Sequence, residues 1–347
     1  MEINASRGTY QVDFFDTLAE FESEVTPDQY NAVLYDLNLR KLDLIPSKLL
    51  TTLPSLGIEA TEKSKSYLEV NAVLEWFSEN SLNRKSMVLV IGGGAIQDIA
   101  TFACSIFHRG VNWTYVPTTL LAQSDSSIGG KCGINLQNNK NQIGVVYPPN
   151  RILTVHEYLK TLPQSEMTSG IGEILKMSLT DAGEFWNQMK RYLTETDSDL
   201  KEIIKLSLNA KKMVIEIDEF EQDYRKVLNY GHTFGHAFES ASGYQIPHGI
   251  AVLLGMKVVH NLGLKWKISN PALVQEVNDY IDMVLDGSRY LDLVSQDLVF
   301  EKVKSDKKVR EGRVTLILLE DLGKLKFVSR LLDSKLELEI IEAIASI

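Results

Sequence analysis

Cysteine is nearly absent: Cys104 and Cys132 are the only two in a chain of 347 residues. That excludes a disulfide framework, and with no CxxC pair it excludes a thiolate metal knuckle. Each reads as a small buried or loop residue. Long apolar runs are missing as well. No stretch reaches the ~18–20 apolar residues of a membrane span, and Met1 to Tyr10 has no apolar signal core. The expectation is a cytoplasmic protein with no membrane partner. Basic charge is in deficit: 36 Lys and Arg against 46 Asp and Glu leave a net charge of −10. A nucleic-acid partner needs a clustered basic surface, and this balance argues against one. A phosphorylated small molecule stays open, because a few local Lys and Arg can dominate one cleft. Low-complexity tracts, internal repeats and flexible Gly/Ser linkers are also lacking.

What is there is a chain with 44% hydrophobic and 24% charged residues, ordinary for a soluble globular protein. The length suggests two domains. Up to about residue 160, short apolar runs alternate with longer mixed segments. Ala32 to Tyr35 reads as a strand ending at Asp36, and Val70 to Phe77 has helical spacing. Met87 to Ile91 is continuously apolar, as suits a parallel strand buried on both faces. It stops at Gly92-Gly93-Gly94, an amphipathic segment Ala95 to Phe107 follows, and Val111 to Val116 reads as the next strand. This is the βαβ rhythm of an open parallel sheet. From about residue 165 the spacing is mostly helical, interrupted by a β-rich piece at Arg313 to Leu319. The expected fold is therefore an α/β domain with a parallel Rossmann-like sheet over 1–160, followed by a mainly α-helical domain over 161–347. With no linker between them, a cleft between the domains is expected.

Four motifs can carry chemistry. Glycines 92–94 sit at a strand-to-helix turn, where backbone can approach a phosphate at a helix N-terminus. The pattern departs from GxGxxG because Gln97 holds the last position, and Asp98, one turn into the helix, could cap or meet a ribose. Asp125-Ser-Ser-Ile-Gly-Gly-Lys131, with Asn135, Lys140 and Asn141, is a polar loop whose lysines suit phosphate or carboxylate. In Arg225 to His236, His232 and His236 lie four apart on one helical face, and His248 follows Pro247 at a helix start. Two histidines one turn apart can bind a divalent metal. Spacing leaves open which two are ligands, with Glu173 and Glu239 as candidate carboxylates for an open catalytic site. Glu173 and Lys176, three apart, read by themselves as a surface ion pair. His108, His156 and His260 lie outside any cluster and read as structural or surface residues.

Together these residues resemble the 3-dehydroquinate synthase family of sugar phosphate cyclases. The resemblance covers roughly residues 30–325 and rests on GGGAIQD (92–98), RG (109–110), VPTTLLAQSDSSIGGK (116–131), GIGEILK (170–176), LNYGHTFGHAFE (228–239), PHG (247–249) and SDKK (305–308) in the family's order. It implies a metal, Zn2+ or Co2+, held by Glu173, His232 and His248, with His236 turned to substrate. It implies NAD on the N-terminal domain, at Asp36, Glu62, Lys65, Gly93, Gly94, Asp98, Thr118, Thr119, Lys140 and Thr161. Substrate-site positions are matched by Asp125, Lys131, Asn141, Lys176, Lys211, Arg225, Asn229 and His236. Of these Asp125, Lys131, Lys176, Asn229 and His236 would be catalytic. Arg109 matches a phosphate-binding arginine that reaches across a homodimer interface, and one of Lys307 and Lys308 matches a late lysine near the phosphate.

The implied activity is that of a carbon–oxygen lyase of the shikimate route to aromatic amino acids. It would convert 3-deoxy-D-arabino-heptulosonate 7-phosphate to 3-dehydroquinate and phosphate. The steps are transient oxidation, phosphate elimination, reduction and aldol closure, with NAD recycled. Three positions depart from the usual pattern: Ile250 where Glu is usual, Thr61 where Gly is usual, and Cys132-Gly133 in place of Thr-Ala. Ile250 keeps two alternatives in view: a sister cyclase acting on sedoheptulose 7-phosphate or glucose 6-phosphate, and a non-catalytic homologue. Arg225 favours the acid substrate, since a guanidinium forks well onto a carboxylate.

Overall fold

The structure is a computed structural model that describes residues 1–137, 139–181, 183–196, 198–304, 309–310 and 312–347. It divides into two compact units, Met1–Pro163 with Lys212–Phe220, and Gln164–Lys211 with Glu221–Ile347.

The first unit is built on a sheet of seven strands among the described residues: β1 (Glu2–Ala5), β2 (Gly8–Phe15), β3 (Ala32–Asp36), β4 (Ser55–Ile58), β5 (Met87–Gly92), β6 (Asn112–Pro117) and β9 (Arg151–Val155). A separate hairpin pairs β7 (Ile134–Leu136) with β8 (Asn139–Ile143). The sheet order is β1-β2-β9-β6-β5-β3-β4, parallel throughout except for the antiparallel edge strand β1. Its helices are α1 (Leu18–Glu24), α2 (Leu37–Lys41), α3 (Ser47–Thr52), α4 (Tyr67–Glu79) and α5 (Gly94–Ile106). The continuous apolar runs of β3 and β5 are buried on both faces, as expected of central parallel strands. On one side Val33, Tyr35, Leu89, Ile91, Val116 and Leu153 share a core with Phe21, Leu39 and Leu49.

The chain leaves β3 toward β4 and then crosses back to build β5, β6 and β9 on the other side. The order therefore reverses between β3 and β5. Ligands of open α/β sheets bind at the carboxyl ends of the strands at such a reversal. Here those ends are Asp36 and Gly92.

The second unit is mainly helical: α6 (Gln164–Ser178), α7 (Glu184–Thr194), most of α8 (Leu200–Ile217), α9 (His232–Ala241), α10 (His248–Lys265), α11 (Pro271–Leu285), α12 (Gln296–Lys304) and α13 (Ser334–Ala345). A small antiparallel sheet joins β10 (Val309–Arg310), β11 (Arg313–Asp321) and β12 (Lys324–Leu331). Helix α10 is apolar nearly all round, which marks a helix surrounded by protein. It is buried from Gly249 to Met256 and packs against α6, α9, α11, α13 and β11.

Glycines set how closely α10 meets its neighbours. A Cβ on Gly249 would lie 1.8 Å from the Ser169 carbonyl oxygen, and one on Gly172 would lie 2.5 Å from the Gly249 carbonyl oxygen. A Cβ on Gly255 would lie 2.1 Å from the Gly231 carbonyl oxygen. The α6–α10 and α9–α10 crossings are thus backbone against backbone. They bring one turn of α6 and the first turns of α9 and α10 together, and those turns carry Glu173, His232 and His248.

Candidate active site

In the first unit the glycine turn is shaped by its neighbours. A Cβ on Gly93 would fall 2.7 Å from Thr119 Cγ2, so a side chain here would have to displace Thr119. At Gly94 a Cβ would meet only Ser126 Oγ, at 4.0 Å, so backbone at the start of α5 is open to close approach. Gln97, at the position where a dinucleotide fingerprint has its last glycine, has a separate task. Its amide donates to the Ser126 carbonyl at 2.7 Å and its oxygen accepts from Ser126 Oγ at 2.8 Å. This ties the helix to the turn 122–126, which carries Asp125. Asp36 caps α2 by accepting from Asn38 N at 2.9 Å, and burial pushes its carboxyl above the usual range. Thr118 N donates to the Gly92 carbonyl at 3.1 Å, while Thr161 spends its hydroxyl on the Tyr158 carbonyl.

Beside this turn lies a polar network. Lys65 Nζ is 2.8 Å from Asp98 Oδ2 and 3.6 Å from Glu62 Oε1, and donates to Asn141 Oδ1 at 3.0 Å. Lys140 Nζ stands 3.7 Å from Glu62 Oε2. Burial works against the Lys65 ammonium, but the Asp98 and Glu62 carboxylates hold its pKa above the ordinary lysine value. Asn135 locks the hairpin to this network by donating to Glu62 Oε1 at 2.9 Å and accepting from Asn141 N at 2.9 Å. The departures from the family pattern fit locally. Thr61 sits at φ −123°, where no glycine is needed, and its hydroxyl accepts from Ser64 N. A Cβ at Gly133 would strike Asn141 Oδ1 at 2.4 Å. Cys132 is half-buried and burial pushes its thiol up to about 12; Cys104 is fully buried.

Lys131 follows Gly129 (φ 92°) and Gly130 (φ 60°), two left-handed positions that glycine adopts without strain. Arg109 is exposed and sits in a left-handed run with His108 (φ 49°) and Gly110 (φ 128°). Two consecutive non-glycine residues at positive φ are costly, and such strain clusters at functional segments.

The second unit gathers the metal-type ligands. Glu173 is 1% exposed; its Oε1 lies 3.5 Å from His232 Nε2 and 3.5 Å from His248 Nε2. An ion holding nitrogen and oxygen ligands at ~2.1 Å in a tetrahedron has ligand–ligand edges of ~3.4 Å. The observed separations match that. Both imidazoles use Nδ1 elsewhere: His232 Nδ1 is 3.1 Å from the Tyr230 carbonyl oxygen, and His248 Nδ1 is 3.1 Å from Glu239 Oε2. This leaves the two Nε2 lone pairs facing Glu173, the usual arrangement of metal-bound histidine. Neither Glu173 oxygen receives a well-formed hydrogen bond among the described residues. Lys176 Nζ, 2.5 Å from Oε2, supplies the balancing charge and donates to the Leu228 carbonyl at 2.9 Å. The Glu173–Lys176 pair is therefore a buried one, contrary to its reading by spacing alone. Glu239, open as a ligand from spacing, stands behind His248. Burial alone would lower the His248 pKa, but the Glu239 and Glu173 carboxylates raise it.

His236 is exposed, its ring 5.4 Å from that of His232 and 5.8 Å from that of His248. Lys211 and Arg225 are buried at 6% and 4% exposure, two cations in the same unit as the ligand cluster. Asn229 donates its amide to Glu221 Oε1. Lys307 and Lys308 lie outside the described residues. Sequence reading missed Glu221, which sits in an acidic stretch with no motif of its own, and the partners of the histidines, which spacing does not reveal. Glu239→Ala should weaken divalent-metal affinity ~10–100-fold, with Glu239→Gln, which keeps an acceptor, falling between. Competition with a chelating dye measures this directly.

Family models for the 3-dehydroquinate synthase N-terminal and C-terminal regions match residues 55–169 and 170–309. The chain belongs to the 3-dehydroquinate synthase family. A 3-dehydroquinate synthase of Dictyoglomus thermophilum is 36% identical over 310 residues, covering 87% of this chain and 84% of that protein. Among solved structures, a 2-deoxy-scyllo-inosose synthase complexed with carbaglucose-6-phosphate, NAD+ and Co2+ superposes with a TM-score of 0.85 at 23% identity, covering 100% of this chain and 99% of that one. A 2-epi-5-epi-valiolone synthase from Streptomyces hygroscopicus, with NAD+ and Zn2+ bound, gives 0.83 at 22% identity, covering 97% and 96%. At these identities the two structures bear on the fold alone, which they share over 100% and 97% of the chain. No helix among the described residues is long and apolar enough to cross a membrane.

Proposed function

We propose that this chain is a 3-dehydroquinate synthase, converting 3-deoxy-D-arabino-heptulosonate 7-phosphate to 3-dehydroquinate and phosphate with NAD and Zn2+ or Co2+. The observation that carries the reading is the buried Glu173 carboxylate faced by two Nε2 atoms at 3.5 Å, in a family member with buried Lys211 and Arg225. When bound, NAD supplies a reversible hydride acceptor and the divalent ion a Lewis acid.

In this reading Glu173, His232 and His248 hold the ion. Asp36, Glu62, Lys65, Gly93, Gly94, Asp98, Thr118, Thr119, Lys140 and Thr161 hold the dinucleotide. Gly94 leaves room for pyrophosphate at the start of α5, and Asp36, at the carboxyl end of β3, is placed as the ribose acid of such sheets usually is. The buried guanidinium of Arg225 and ammonium of Lys211 bind the substrate carboxylate and its neighbouring oxygens. Asn229 orients a substrate hydroxyl, its amide fixed by Glu221. His236, exposed beside the ligand histidines, takes and returns a proton at its imidazole nitrogen. Lys176, paired with Glu173 at 2.5 Å, is the second unit's lysine for the substrate's polar edge, and Asp125, Lys131 and Asn141 are the substrate-binding residues of the first unit. Arg109 and one of Lys307 and Lys308 bind phosphate, Arg109 across the interface of a cytoplasmic homodimer. Its exposure and left-handed backbone suit an arginine aimed outward.

The test is phosphate release by metal-loaded protein with NAD+ and the heptulosonate, with the carbocycle identified by mass and NMR. Phosphate and 3-dehydroquinate without net NADH are expected. Ile250, fully buried two residues after His248 where the family usually has an acid, favours a second reading as a sister cyclase. Release from sedoheptulose 7-phosphate or glucose 6-phosphate alone would establish that reading. No release from any of the three, by protein whose melting temperature neither NAD nor metal raises, would establish a non-catalytic homologue.

A further inference from the structure

His260 belongs to no motif, yet it sits at 0% exposure in the middle of α10 with both ring nitrogens engaged. Its Nδ1 is 2.6 Å from Asn278 Oδ1 on α11. That oxygen can only accept, so Nδ1 carries the proton and Nε2 is left as an acceptor. The Tyr230 hydroxyl, also fully buried, donates to that Nε2. Burial holds the His260 pKa down at about 4, which keeps the imidazole neutral and the direction of the chain fixed.

Tyr230 is the residue whose peptide carbonyl receives His232 Nδ1 at 3.1 Å. The peptide lies just before Gly231 (φ 77°), and a Cβ at Gly231 would meet Met256 Cγ at 2.7 Å, so the turn is pressed against α10. The backbone at this turn has one anchor on each side: the glycine contact, and the tyrosine side chain running back into the core. We infer that Asn278, His260 and Tyr230 form a positioning chain for His232: by pinning the Tyr230 peptide they aim its carbonyl at Nδ1, and so present Nε2 to the ion. None of the three is among the residues proposed above to hold the ion or the substrate. The inference rests on the metal-centre reading proposed above.

The test uses the full-length chain, stripped of metal and titrated with Zn2+ against a chelating dye, and with Co2+ by its visible absorption. Tyr230→Phe keeps the ring and removes only the hydroxyl; it should weaken affinity about tenfold, the scale of outer partners of metal ligands, and shift the Co2+ bands. Asn278→Ala, at a partly exposed position, should act in the same direction more weakly. Trp266→Phe is the control: it removes the hydrogen bond to Glu339 Oε2 at the end of α10 and should lower thermal stability without changing affinity. Tyr230→Phe with wild-type affinity and Co2+ spectrum, whatever its stability, would overturn the positioning chain alone. A wild-type chain that binds no Zn2+, indistinguishable from Glu173→Gln, would overturn the metal centre itself.

Discussion

Glu173→Gln should abolish metal binding at micromolar zinc and lower kcat/KM by ~10^3-fold or more, since Lewis-acid stabilisation is worth several kcal/mol and each 1.4 kcal/mol is tenfold. A second effect is expected in the metal-free protein. Lys176 is 2% exposed, and its partner charge is the carboxylate 2.5 Å away. Removing one member of a buried pair leaves the other uncompensated, at a cost of about 3–5 kcal/mol. The metal-free variant should therefore melt well below the metal-free wild type. Replacing both members by uncharged groups of similar shape is often neutral, so Glu173→Gln with Lys176→Met should recover most of the lost stability and none of the metal affinity. Calorimetry of the metal-free proteins, beside dye competition, separates the two effects. If the single and double variants melted together, Lys176 would not be the charge that balances Glu173.

Gly249→Ala should be the most damaging addition of a single methyl group. The new Cβ would arrive 1.8 Å from the Ser169 carbonyl oxygen, and both partners are helix backbone that cannot rotate away. The helices must part. Overpacking of this kind costs about 3 kcal/mol, which lowers Tm by roughly 6–12 °C for a unit of this size. The parting also carries His248 away from Glu173, so metal affinity should fall together with stability. Gly243→Ala is the comparison, because at φ 61° with nothing within 4 Å it strains only its own backbone. It should cost about 1 kcal/mol and leave metal affinity unchanged. Equal metal affinity in Gly249→Ala and wild type would show that the ligand positions do not depend on the α6–α10 crossing.

The legible part of the fold was the part with strong local signals. β3 and β5 are continuous apolar runs that stop at Asp36 and Gly92, β6 is stopped by Pro117, and α9 and α10 begin at evident breaks. β2 was not legible, because Gly8–Phe15 mixes exposed, half-buried and buried residues without a run. β12 is largely exposed and alternates weakly, so it was missed beside the clear β11. At the site, spacing pointed to histidines but could not choose among three. The two histidines that face Glu173 come from different helices, and the third lies one turn along α9 from one of them. The choice depends on glycine crossings that bring distant segments together, and on what each Nδ1 meets. Lys65 is a comparable case. It carries no helical or strand periodicity of its own, and its four-way network with Glu62, Asp98 and Asn141 depends on a hairpin some 70 residues away.

The allocation of Lys212–Phe220 has a consequence for how this architecture can be inherited. The stretch lies within the residues matched by the C-terminal family model, yet it is part of the first unit. Glu216 accepts from Asn4 N at 2.9 Å and Glu219 from Ser6 N at 2.7 Å, so the stretch shields the open edge of β1. A gene cut after Pro163 would strand those acceptors on the wrong fragment and leave a raw sheet edge on the other. The two halves are therefore poor modules for recombination at that point. Exchange between relatives by a single crossover would have to preserve the match between the first few residues and a helix end more than 200 residues later.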